Sequence, residues 1–148
     1  MDDLIAALEG DRPPGLYRLN RNVQVDELAG LAREHDWRFF YVDGRAIHNK
    51  TDFFRVCAIS LRFPDYFGQN WDAFEDCLRD LEETSAKQYI LLFDQPDQFV
   101  QENPEEWAIA LNIFYETVEF WQDTDTPMYI LFQTTRPALD GLDELLEI

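Results

Sequence analysis

Cysteine, histidine, glycine and basic residues are all scarce in this sequence. Its 148 residues include 2 Cys, 2 His and 6 Gly, and 12 Lys and Arg stand against 30 Asp and Glu. Cys57 and Cys77 make no redox or metal spacing; each sits within an apolar helical pattern, so buried thiols are expected and a disulfide is not. His35 and His48 are too far apart to form a ligand pair. There is no glycine loop that would cradle a phosphate and no nucleophile elbow, so neither a cofactor nor a small-molecule substrate is expected. Long apolar runs are missing too, and the start, Met1-Asp2-Asp3-Leu4-Ile5, is acidic with only a short apolar stretch, unlike a secretory signal or a membrane span. A cytoplasmic protein is the expectation.

What is abundant is acidic and aromatic side chains. Hydrophobic residues make up 46% of the chain and aromatics 15%, enough for one packed domain, so the net charge of -18 belongs to a surface and not to a disordered acidic chain. That charge is uneven: residues 1–62 carry 9 Lys and Arg against 10 Asp and Glu, while residues 63–148 carry 3 against 20. Such a field repels nucleic acid and anionic membranes and draws in cationic proteins.

Taken in order, the chain opens with a short helix, Pro13-Pro14-Gly15, and Leu16-Tyr17-Arg18-Leu19 as a candidate edge strand. Asp26 is placed to cap a short helix ending near His35. Trp37 to Val42 reads as the first core strand, stopping at Asp43-Gly44. Thr51 is expected to cap a helix with Phe53, Phe54, Cys57, Ala58 and Leu61 on one side. The runs Gln88–Asp94 and Met128–Gln133 are nearly all apolar, the pattern of strands covered on both faces. Between them, Asn103-Pro104-Glu105-Glu106 starts a helix running to about Trp121, with Trp107, Leu111, Phe114, Val118 and Trp121 inward and Asn112, Glu116, Glu119 and Asp123 outward.

The most informative stretch is Phe63 to Leu78. Pro64 and Gly68 punctuate a turn, Asn70 is a good N-cap, and the helix should begin near Trp71. Trp71, Phe74, Leu78 and Leu81 then share one face. Asp72, Asp76 and Asp80 form a second stripe, with Glu75, Glu82 and Glu83 beside it. Acidic stripes on helices are ordinarily solvated faces, but Tyr66-Phe67-Gly68-x-Asn70-x-Asp72-Ala73-x-x-Asp76-Cys77-Leu78 as a whole resembles the signature of the barstar family, intracellular protein inhibitors of the ribonuclease barnase. The likeness covers roughly residues 39–134.

Strands separated by helices imply right-handed crossovers between parallel strands. An α/β fold follows from the pattern alone, a small three-stranded parallel sheet packed with helices in the order β-α-α-β-α-β, and the barstar family resembles it closely. Residues 37–134 would be the family core, 1–36 an N-terminal extension and 135–148 an acidic tail, all in one domain. The resemblance implies an inhibitor and not an enzyme, whose helix-borne carboxylates occupy the phosphate positions of a basic ribonuclease. Asp76 then matches the aspartate entering the nuclease active site, Asp72 its acidic neighbour, Tyr66 an aromatic at the rim, and Glu116 an outlying contact supplemented by Glu119. Trp71, on the buried stripe, reads as a core aromatic, while Tyr66, before the helix, is readable either as core or as contact. Three positions depart from the pattern. Glu75 replaces an aromatic, Phe120 stands where an acid is expected, and Arg79, in a helix continuing through Asp80 and Leu81, can pair with Asp76 or Glu83 and sets a positive charge beside the site. The alternative is an acidic interaction module with a partner that is not a ribonuclease.

Overall fold

Two strands whose every residue is buried, Tyr89–Asp94 and Met128–Gln133, form the middle of the molecule. The computed structural model describes residues 1–65, 67–81, 86–134, 139 and 142. Its elements are α1 (Asp2–Ala6), β1 (Leu16–Leu19), α2 (Val25–Glu34), β2 (Arg38–Asp43), α3 (Lys50–Ser60), α4 (Trp71–Arg79), β3 (Tyr89–Asp94), α5 (Asp97–Glu102), α6 (Pro104–Gln122) and β4 (Met128–Gln133). All strand pairs are parallel, in the order β1-β4-β3-β2.

The α/β class with a parallel sheet is as the sequence indicates, but the sheet has four strands instead of three. Leu16–Leu19 is a full member, paired residue by residue with Ile130–Gln133. The final crossover also holds two helices, because α5 precedes α6.

Both faces of the sheet are covered, which is why its central strands read as unbroken apolar runs. One face, including Phe40, Val42, Leu91, Phe93, Ile130 and Phe132, packs against the α3 to α6 side, joined there by Leu139 and Leu142. Phe53 sits at its centre, with the rings of Trp71, Phe74 and Phe99 at centroid distances of 5.3, 5.2 and 5.1 Å. The other face, including Tyr17, Leu19, Ile90, Leu92, Tyr129 and Leu131, packs against Leu4, Leu8, Leu28 and Ala32. The N-terminal residues thus supply a second layer of core.

At the carboxyl ends of the strands one hydrogen-bonded chain crosses the whole sheet. The Tyr41 hydroxyl of β2 donates to Asp94 Oδ2 of β3 at 2.8 Å. Gln133 Nε2 of β4 donates to Asp94 Oδ1 at 3.0 Å, and Gln133 Oε1 accepts from the Val23 N–H, just past β1, at 2.8 Å. Burying these polar groups is tolerable because each has its partner.

Helix starts differ in detail from the sequence expectation. Asn49, not Thr51, caps α3, its side chain accepting from the Asp52 N–H at 2.8 Å. α2 begins at Val25 after Gln24, so Asp26 lies in its first turn and makes no cap. Asn103 precedes Pro104 as expected, but its side chain donates to the His48 carbonyl at 3.1 Å instead of capping α6.

Candidate functional site

The aspartate-bearing helix is fixed at both ends. At its start the Asn70 side chain accepts from the Ala73 N–H at 2.8 Å, satisfying one of the donors that a helix leaves open. The preceding turn is pinned by Phe63 and Phe67, whose rings meet at 5.2 Å, with Phe67 also lying 5.8 Å from Phe54. At its end the indole Nε1 of Trp121, from α6, donates to the Leu78 carbonyl at 3.0 Å. The helix stops at Arg79, with Asp80 as C-cap, so it does not continue through Leu81.

Phe74 and Leu78 form its buried side. Trp71 is half-buried against Phe53 and Phe54, and its indole donates to Glu106 Oε2 of α6 at 2.8 Å. Trp71 is therefore a core aromatic with one polar tether. Glu106 had no signal in the sequence beyond being an acid in a helix's first turn, since its partner lies 35 residues away.

Asp72 and Asp76 are exposed, one turn apart on the outer side of this anchored helix. Among the described residues neither has an ion-pair or hydrogen-bond partner, so both carboxylates are available to another molecule. Tyr66 lies outside the described residues, as do Glu82, Glu83 and the tail apart from Leu139 and Leu142.

Arg79 does not pair with Asp76, and Glu83, its other sequence alternative, lies outside the described residues. The Arg79 Nη2 lies 2.7 Å from Glu75 Oε1, one turn back, and 3.8 Å from Glu116 Oε2 on α6. Its guanidinium also lies 5.6 Å from the centroid of the Phe120 ring. The reason is geometric: the end of α4 faces α6, so the arginine reaches across to it and leaves Asp76 alone. Two of the three departures from the family pattern, Glu75 and Phe120, are thus the partners of the third. The positive charge that threatened to repel a cationic protein is matched by two carboxylates.

Glu116 and Glu119 are both exposed on α6. Glu116 is drawn to α4 by Arg79 and also accepts from Asn112 Nδ2 at 3.4 Å. Among the described residues Glu119 makes no hydrogen bond or ion pair with α4. Asp72, Asp76 and Arg79 on α4 and Glu116 on α6 therefore make a two-helix face joined by the Arg79–Glu116 pair, to which Glu119 is linked only through its helix.

Cys57 is buried, and burial pushes its thiol pKa up. Cys77 is only half-buried, which corrects the expectation for it; burial, and then the charges of Asp76 and Asp80, hold its thiol above the ordinary range. Among the described residues there is no group of three or more potential metal ligands, and no helix is long and apolar enough to cross a membrane.

The chemistry on offer is charge presentation. Rigid carboxylates on a two-helix platform can pair with arginine and lysine side chains arranged to hold phosphates. No curated protein matches the chain. Residues 37–133, however, match the family model described as Barstar (barnase inhibitor). That span runs from β2 to β4 and includes every residue of the two-helix face, so the chain belongs to the Barstar family.

Proposed function

We propose that this protein inhibits a basic ribonuclease by plugging its active site with the α4 carboxylates. The observation that carries this reading is that Asp72 and Asp76 are exposed and, among the described residues, unpaired, on a helix locked at both ends, within the family-matched span. A ribonuclease cleft concentrates cationic side chains to hold RNA phosphates. Two carboxylates in fixed register pair with those side chains without losing much conformational freedom, and they exclude the RNA. The reference case for strong coupling of such charge pairs is the barnase and barstar complex, from this same family.

Asp76 is assigned the central contact, Asp72 the flanking one, and Glu116, through its tie to Arg79, the outlying one on α6. Tyr66 is assigned the rim and Glu119 a supplementary role. Long-range attraction follows from the net charge of -18. Inhibition assays with a small basic ribonuclease test the reading. The expectation is tight inhibition that weakens as salt rises, and a nuclease that stays active with excess inhibitor at low salt contradicts it.

One observation favours a second reading, a cationic partner that is not a ribonuclease. Phe120 is 38% exposed on the same face, giving that face an apolar element as well as charge. Recovery of a non-nuclease partner whose binding is lost in both Asp76→Ala and Phe120→Ala, with no nuclease bound, would select it.

A further inference from the structure

A cavity of about 240 Å³ lies behind α4, between edge strand β2 and the turn that ends α3. Its floor is apolar, formed by Phe40, Leu61 and Leu81, all buried. Arg38 and Arg62 also line it. In a chain so rich in acid, neither guanidinium has a carboxylate partner among the described residues. Arg38 lies 5.3 Å from the centroid of the Phe40 ring, two residues along the same face of β2. Arg62 sits at φ +56°, in the left-handed region that non-glycine residues rarely adopt. Asp80 is on the wall as well, so among the described lining residues two positive charges and one negative leave one charge positive.

We propose that this cavity binds a small monoanionic carboxylate carrying an apolar body. A carboxylate accepts the paired N–H donors of a guanidinium in plane, and the two arginines supply two such forks. The apolar body covers Phe40, Leu61 and Leu81. The net lining charge suits a monoanion; a doubly charged phosphate would meet Asp80 and the acidic field of the chain. The volume is below the usual ~300–1,000 Å³ of drug-sized sites, which selects a small ligand. The site is separate from the carboxylates assigned to the nuclease.

Cys77 lines the same cavity and is half-buried, whereas Cys57 is buried, so alkylation of Cys77 reads occupancy without any protein partner. The full-length protein is treated with iodoacetamide at one pH, with increasing 3-phenylpropionate or its neutral amide. The acid is expected to slow Cys77 alkylation several-fold and saturably, while the amide leaves it unchanged. In Arg62→Gln, at an exposed position, and in Arg38→Gln the protection is expected to fall, with the denaturation midpoint of Arg62→Gln unchanged. Equal protection by acid and amide, no protection by the acid, or full protection in Arg62→Gln overturns the proposal.

Discussion

Asp94 is the acceptor at the centre of the chain of hydrogen bonds across the sheet, and replacing it shows how much that chain contributes. Asp94 is 6% exposed and Gln133 5% exposed. Asp94→Ala removes two hydrogen bonds to a carboxylate, from the Tyr41 hydroxyl and from Gln133 Nε2, each contributing ~1.5–3 kcal/mol. The Tyr41 hydroxyl is half-exposed and recovers water. Gln133 Nε2 cannot, and an unsatisfied buried donor costs ~1–3 kcal/mol. Relief from carboxylate burial offsets part of this, so the net loss is expected at ~2–4 kcal/mol, a large share of the ~5–15 kcal/mol typical of a domain. Asp94→Asn keeps one acceptor and should lose roughly half as much. The assay is urea denaturation at neutral pH, in which the midpoint should fall with the slope unchanged. A Tyr41→Phe and Gln133→Ala cycle should be non-additive with Asp94→Ala, since all three share one network. A loss of under ~1 kcal/mol in Asp94→Ala, or strict additivity, would refute the reasoning.

Three further outcomes follow from the same geometry. Gly44→Ala puts a Cβ 2.5 Å from the Asp94 carbonyl and against that of Gln95, both backbone atoms, so a loss of ~2–3 kcal/mol in the same denaturation assay is expected. Burial first, then the hydrogen bond to Asp94, pushes the Tyr41 phenol up to about 12, and burial, with Tyr17 nearby, does the same for Tyr129. Because the folded values lie above the unfolded one of ~10, the stability these phenols contribute is complete below pH ~10 and is lost as pH rises through about 12; phenolate absorbance and denaturation midpoints across that range check it. Arg79→Ala removes ion pairs that are partly solvated, so stability should change by under ~1 kcal/mol. The same change frees Glu75 and Glu116 and should speed association with a cationic partner at low salt, an advantage that stopped-flow measurements should find gone at high salt.

What could be read from the sequence divides along physical lines. β3 and β4 were legible because a strand buried on both faces must be apolar throughout, and the start of α4 was legible because Asn70 and Gly68 are local signals whose partners lie a few residues away. The fourth strand was visible only as a candidate, since Leu16–Leu19 finds its register on Ile130–Gln133, more than a hundred residues distant. α5 escaped because Asp97, which opens it, is buried and bonded to Thr134 instead of facing water as a first-turn acid usually does. The candidate aspartates were legible as a pattern of residue types. The state of Arg79 was not: its nearest sequence options were Asp76 and Glu83, and only the packing of α6 against α4 brings in Glu116 and Phe120.

The central claim is that Asp76 is the residue that fills the target's active site. Titration calorimetry of the wild-type chain and Asp76→Ala against the candidate ribonuclease tests it most directly, with urea denaturation of both proteins alongside. Asp76 is exposed and has no partner among the described residues, so the denaturation midpoint should not move, while affinity should fall by at least the ~2 kcal/mol of a hot-spot residue, about 30-fold. Undiminished affinity in a fully folded Asp76→Ala protein would contradict it.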